Sequence, residues 1–278
     1  MKKIIKLFKG LKIKFFGIRY QIIESSLAGV PLRIVKGTLS EQPDQDDAWL
    51  FYLVGRFDNI FDIGANIGQS ALFAKVQGNE KRLLLADPNP EALALAAKNL
   101  IMNGYSPQCE FIPSFSSDKA DDRIEFFTIG VGAAGSMYKG HAETAAAMGL
   151  SRMVPTTTID TLVQQIGWVP EFVKIDVEGA ESKVLQGASQ LALAQKTWFM
   201  VEMHSPPELP MIENARLILE WANNARYQVW YMRDAVLLDK PEVIASRGKC
   251  HLLFMPEGTP YPDTLRAIPQ RSFLPKSV

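Results

Sequence analysis

Two short runs place ionisable side chains where they could do chemistry. In Phe172-Val173-Lys174-Ile175-Asp176-Val177-Glu178-Gly179-Ala180-Glu181 an apolar strand emits two carboxylates and turns at Gly179, and in Trp198-Phe199-Met200-Val201-Glu202-Met203-His204 a second strand ends in a carboxylate and an imidazole. Open α/β sheets bind ligands at the carboxyl ends of their strands. Side chains gathered there can take the proton of a hydroxyl as it is alkylated. His204, whose reference pKa lies nearest physiological pH, is the first candidate base and Glu178 the second, with Asp176 and Glu202 beside them. The plainer alternative has His204 only hydrogen-bonding a neighbouring carboxylate. Asp176, Glu202 and His204 could instead hold Mg²⁺ or Mn²⁺, since oxygen-rich sets suit hard cations. Glu181, about one helical turn on, suits the positive end of a helix.

What such a base would serve is set by Asn59-Ile60-Phe61-Asp62-Ile63-Gly64-Ala65-Asn66-Ile67-Gly68-Gln69-Ser70, a buried strand running into a glycine-spaced turn and then a helix. A diphosphate-binding turn has a bare glycine at the middle of its three glycine positions. Here Asn66 stands there, and Gln69 stands at the third, which disfavours NAD and FAD. An adenosine without phosphates fits better, and S-adenosylmethionine is such a cofactor. About twenty residues on, a second apolar strand ends in Asp87-Pro88-Asn89-Pro90, where an acidic side chain can accept from ribose hydroxyls. Asn89 and Pro90 also read as the N-cap and first residue of a helix, and both roles can coexist.

The elements that must position these groups alternate between strand and helix. A polar run at 40–47 caps a helix over 49–54. Strands are expected at 60–63, 82–87, 109–113, 123–129, 172–176 and 198–204, with helices over 70–76, 91–100 and 211–225. A strand leads into a helix at 156–162, with Asp160 at the helix start, and another helix runs from 181 to about 193. Strands at 227–232 and 249–255 would pair antiparallel. The polar turn at 114–118 could bring Ser116, Ser117 or Asp118 to an adenine edge, or simply be solvated. The Gly-, Ala- and Ser-rich stretch 130–153 reads as a mobile insertion that could act as a lid, with His141 a surface histidine.

Composition narrows the class. The 278 residues are 47% hydrophobic and 22% charged with zero formal net charge, an ordinary globular balance without the basic excess of a nucleic-acid binder. Charge is uneven: Lys2, Lys3, Lys6, Lys9, Lys12, Lys14 and Arg19 are interleaved with apolar residues and no acid. That pattern suits either peripheral contact with an anionic membrane or an amphipathic helix packed on the main domain. It lacks the core of a signal peptide, and no apolar run is long enough to span a bilayer. Two cysteines, Cys109 and Cys250, fit a reducing cytoplasm and apolar packing in strands.

With the block at 61–68, Asp87 to Pro90, Thr158-Ile159-Asp160-Thr161-Leu162, the block at 174–181 followed by Gly187, and Glu202-Met203-His204 in this order, the chain resembles the FkbM family of S-adenosylmethionine-dependent methyltransferases over about residues 55–255. The resemblance implies an α/β fold with a class I methyltransferase, Rossmann-like, doubly wound sheet of seven strands, the last antiparallel. It also implies O-methyl transfer. One departure is visible: Asp87 stands where the family often has Glu. The candidate cofactor contacts are Asp62, Gly64, Ala65, Asn66, Gly68, Asp87, Pro88, Asn89, Ser117 and Asp176. The organisation expected is a basic segment and lead-in at 1–50, a cofactor-binding domain at 51–256 and a proline-rich tail at 257–278. The acceptor would be a hydroxyl on a glycan, glycolipid or secondary metabolite. A nicotinamide oxidoreductase and a non-catalytic cofactor-binding module are the alternatives, and neither the acceptor's identity nor the oligomeric state is legible.

Overall fold

The β3 strand (Asn59–Ile63) is buried on both faces, as a strand covered by helices on each side must be. In the computed structural model, which describes residues 20–40, 44–131, 135–268 and 274, it lies near the middle of the main sheet. The basic run at 2–19 and prolines Pro269 and Pro275 lie outside the described residues.

The chain enters through a hairpin, β1 (Ile22–Leu27) and β2 (Val30–Val35), and then α1 (Gln45–Arg56). After β3 come α2 (Gln69–Lys75), β4 (Arg82–Ala86), α3 (Pro90–Met102), β5 (Cys109–Ile112), β6 (Phe115–Ser116), β7 (Arg123–Phe127), α4 (Glu143–Ala147), β8 (Ser151–Thr157) and α5 (Ile159–Ile166). The second half holds β9 (Phe172–Ile175), α6 (Glu181–Gln186), α7 (Ser189–Leu193), β10 (Trp198–Met203), α8 (Met211–Ala225), β11 (Tyr227–Tyr231), β12 (Val236–Leu237), α9 (Pro241–Ala245), β13 (Cys250–Pro256) and α10 (Asp263–Arg266).

The main sheet has the order β12-β11-β13-β10-β9-β3-β4-β5. Strands β5, β4, β3, β9 and β10 pair parallel, and β13 is inserted antiparallel between β10 and β11. This is the seven-stranded order implied by the resemblance, with the two-residue β12 added at one edge. The order reverses between β3 and β9, and at such a switch point an open sheet leaves a crevice outside its strand ends. Apolar helix faces cover both sides. Leu162 of α5, Val184 of α6 and Ile218 of α8 pack on one face; Leu53 of α1, Leu72 of α2 and Leu100 of α3 pack on the other.

Three expectations need correction. The lead-in is more ordered than a mixed segment: Leu32 and Ile34 of β2 join the core beneath α3, and α1 starts at Gln45, so a boundary at residue 50 would cut a helix. The helix expected to run to Leu193 is broken, because at Gly187 the chain passes so close to Ser117 that a Cβ would lie 2.1 Å from its carbonyl oxygen. The stretch 130–153 is built into the fold where it is described. Phe127 and Ser136 exchange backbone hydrogen bonds of 2.9 and 3.1 Å, α4 follows, and β8 starts at Ser151.

Candidate active site

The turn after β3 sits against the end of β9. Gly64 has φ +79°, and a Cβ there would lie 1.8 Å from the Asp176 carbonyl oxygen, so only glycine lets the two strand ends lie side by side. Gly64 and Ala65 donate to the Ala86 carbonyl at 2.9 and 3.1 Å, which ties the turn to β4. Gly68, also at φ +79°, opens α2 against Ala96 of α3. Asp62 is buried, accepts from the Ser70 hydroxyl, and lies 3.3 Å from the Lys174 ammonium.

Asp87 faces the same turn. One carboxylate oxygen accepts from the Asn66 amide at 2.8 Å and the other from the Asn89 amide at 2.8 Å. Burial pushes its pKa up to about 6 despite those two donors. Asn89 caps α3 by accepting from Glu91, so both proposed roles of this segment are structurally compatible. A cleft of about 590 Å³ opens here, lined by Gly64, Asn66, Asp87, Pro88, Asn89, Ser114, Ser116 and Asp176 among others. Ser117 does not line it; its hydroxyl donates to Asp118 at 2.9 Å, and Asp118 pairs with Lys183 at 3.7 Å. The hydroxyls of Ser114 and Ser116, buried and without partners, take the place expected of Ser117. Ser116 belongs to the two-residue β6, which pairs with β8, and Ser114 and Ser117 flank that strand.

A second cleft of about 860 Å³ shares Gly64, Asn66 and Asp176 with the first, and adds Asp46, Asp47, Leu50, Lys174, Met200, Glu202 and His251. Lys174 and Asp176 sit two residues apart and so share one face of the strand end. The ammonium lies 3.4 Å from Asp176 and donates to the Gly64 carbonyl at 3.2 Å. Burial opposes its charge, but Asp62 and Asp176 outweigh that and hold its pKa above the ordinary lysine value. Burial in turn raises the pKa of Asp176 against the pull of Lys174.

Beside this junction lies a histidine–carboxylate cluster. Glu181, fully buried, accepts from the Gly179 amide, from His204 Nδ1 and from Asn214 Nδ2, each at 2.9 Å. His204 Nε2 then faces Glu178 at 3.2 Å and Glu202 at 3.7 Å. Burial works against an imidazolium, but the Glu181 hydrogen bond and the surrounding carboxylates push the pKa of His204 up to about 9. Burial would likewise raise Glu202, yet His251 and Lys249, the latter 2.5 Å away, hold it well below the usual carboxylate range. Asp176, Glu178, Glu202 and His204 are therefore brought together as the sequence suggested.

His141 is partly exposed, as a surface histidine would be, but its ring lies 2.5 Å from Glu178 and edge-on to His204, with centroids 5.5 Å apart, because Ser136 anchors its segment to the Glu178 carbonyl at 2.8 Å. Sequence reasoning also missed His251, Asp46 and Lys174. The register of β13 sets His251 directly opposite Glu202, and its ring reaches towards both Glu202 (3.6 Å) and Asp46 (3.4 Å). Lys174 was legible through its period-two relation to Asp176.

Asp176, Glu202 and His204 offer ligand atoms all within 4.8 Å of one another, the set that suggested Mg²⁺ or Mn²⁺. As arranged they do not fit a divalent cation. His204 has a carboxylate at each ring nitrogen, Glu181 at 2.9 Å and Glu178 at 3.2 Å, while Glu202 and Asp176 are already paired with ammonium groups.

The chain matches the family model described as a methyltransferase FkbM domain over residues 62–229. The hexuronic acid methyltransferase AglP of Haloferax volcanii is 28% identical over 218 residues, covering 74% of this chain and 83% of that protein. Similar solved structures include a methyltransferase FkbM from Methylobacillus flagellatus KT, with 16% identity and a TM-score of 0.45 over 71% of this chain. This chain spans only 43% of that one. The O-methyltransferase from Bacillus cereus in complex with SAH shows 13% identity and a TM-score of 0.43, covering 74% of this chain and 78% of that one.

Proposed function

The chain belongs to the FkbM methyltransferase family, and from that premise we propose that it transfers the methyl group of S-adenosylmethionine to a hydroxyl oxygen of a glycan, glycolipid or secondary metabolite. The observation that carries this reading is the meeting of two clefts at Gly64, Asn66 and Asp176. The first has a buried carboxylate, Asp87, for ribose hydroxyls and two unpartnered serine hydroxyls for a base edge. It suits a nucleoside without phosphates, because the Asn66 amide is spent on Asp87 and cannot cradle a diphosphate. The second cleft presents hydrogen-bonding groups to an acceptor.

The cofactor, when bound, supplies an electrophilic methyl group on a sulfonium whose leaving sulfur takes the electron pair. The protein aligns the acceptor with it and removes one proton. Asp176 takes that role: it borders both clefts, and burial has raised its affinity for a proton. His204, whose pKa the surrounding carboxylates push up to about 9, acts as a donor, and Glu178 and Glu181 hold it in place. The free cysteines Cys109 and Cys250 suit a cytoplasmic setting, and among the described residues no helix is long and apolar enough to cross a membrane. Calorimetry with S-adenosylmethionine should show binding that is lost in Gly64→Arg. Indifference of the protein to this cofactor would remove the reading.

A further inference from the structure

We propose that the face running from the tip where β7 ends and β8 begins, along the outward side of α3, docks on an anionic lipid bilayer. Of eleven large apolar side chains exposed among the described residues, four gather at that tip: Ile129 (54% exposed), Val131 (40%), Met148 (64%) and Leu150 (40%). The Thr128 amide donates to the Leu150 carbonyl at 3.4 Å and the Leu150 amide to the Ala145 carbonyl at 2.9 Å, so the end of β7 is tied to the turn after α4. A contiguous apolar patch in water marks a surface that a partner covers. None of the four residues lines either cleft, so neither the cofactor nor the acceptor accounts for them.

What covers the patch follows from its surroundings. Arg152 pairs with Glu91 at 2.7 Å and Asn89 donates to the Gly130 carbonyl at 3.2 Å, which fastens the tip to the start of α3. Glu91, Lys98 and Ile101 lie seven and three residues apart and so share one outward stripe of that helix, on which Ile101 is 63% exposed. Lys98 stands over the Tyr20 ring at 4.9 Å, so the chain ahead of Tyr20 joins the fold on this stripe, about 12 Å along the helix from its start at the tip. The nineteen residues ahead of Tyr20 carry seven cations and no acid. Apolar side chains beside a concentration of positive charge match a bilayer, where anionic headgroups overlie hydrocarbon. The acid on the stripe, Glu91, is neutralised by Arg152. A second copy of this chain would bring the same cations against one another.

The test is flotation of the full chain with vesicles of phosphatidylcholine alone and of phosphatidylcholine mixed with phosphatidylglycerol. The parent should bind the mixed vesicles and bind the neutral ones at least ~10-fold more weakly. The tip variant Ile129→Ser/Met148→Ser/Leu150→Ser should bind the mixed vesicles at least ~10-fold more weakly than the parent, since it loses three apolar side chains that would leave water on docking. Its urea midpoint should stay that of the parent, because those side chains already face solvent. Val169→Ser/Leu193→Ser removes comparably exposed side chains (49% and 64%) ahead of β9 and β10, at the opposite end of the sheet, and should leave binding unchanged. Should the tip variant fold poorly, Met148→Glu alone carries the same expectation. A parent that ignores the mixed vesicles, a tip variant that binds them as the parent does, or equal losses in both variants would each overturn the proposal. So would light scattering that shows a dimer in the parent and a monomer in the tip variant.

Discussion

Replacing Asp87 with Asn should stabilise the protein while crippling its cofactor cleft. The carboxyl's pKa moves from 3.8 to about 6 because burial disfavours its charged form. Those two units correspond to about 3 kcal/mol of stability given up at neutral pH. Below pH 3.8 both folded and unfolded chains hold the proton and nothing is lost. As pH rises from there, the unfolded chain ionises first, so stability declines until the folded carboxyl has also ionised above pH 6. Asparagine carries no such charge, but its single acceptor oxygen cannot serve the Asn66 and Asn89 amides as well as two oxygens do, at a cost of about 1 kcal/mol. The net expectation is a gain of about 2 kcal/mol in urea unfolding at pH 7.5 without ligand, shrinking to nothing or a small loss at pH 4. In calorimetry the same variant should bind S-adenosylmethionine at least ~10-fold more weakly, since hydrogen bonds to charged groups are worth about 1.5–3 kcal/mol. A variant that is less stable at pH 7.5, or that binds the cofactor as well as the parent does, would refute the reasoning.

Lys174→Met strips the cation from between Asp62 and Asp176 and should cost about 3 kcal/mol or more, read as a fall in the urea midpoint at neutral pH. Gly187→Ala drives a methyl into the Ser117 carbonyl and should cost about 1–3 kcal/mol in the same assay, with no direct contact to either cleft. Asp44→Ala removes the capping box of α1, whose first turn supplies Asp46 and Asp47 to the second cleft; a loss of about 1 kcal/mol is expected, with unchanged stability pointing to another anchor for that helix. Cofactor affinity of the unmodified protein should weaken as pH falls through 6, because a protonated Asp87 accepts fewer hydrogen bonds; a flat profile between pH 5 and 8 would contradict this.

What the sequence showed plainly was local. The turn at Gly64 and the carboxylates at Asp176 and Glu178 announce themselves because strand, glycine and helix follow within a dozen residues. The α8 helix was legible end to end, since Pro210 precedes it and its apolar period holds to Ala225. What stayed hidden depends on partners far along the chain. His251 reaches Glu202 only through the register of an antiparallel strand inserted late in the sheet. His141 reaches Glu178 only because Ser136 pins its segment there, and Gly187 breaks a helix only because Ser117 passes beside it. That Ser114 and Ser116, and not Ser117, line the first cleft was also hidden, since so short a strand as β6 leaves no periodic signal. The raised pKa of His204 was likewise beyond reach, because it is set by Glu181 and Glu178 folding around one imidazole.

The most direct test is a co-crystal with S-adenosylhomocysteine. Both ribose hydroxyls should lie within hydrogen-bond distance of the Asp87 carboxylate, the adenine beside Ser114 and Ser116, and the sulfur turned toward Asp176. A nucleoside bound elsewhere, or a cleft that admits NADH and leaves the thioether nucleoside in solution, would contradict the account.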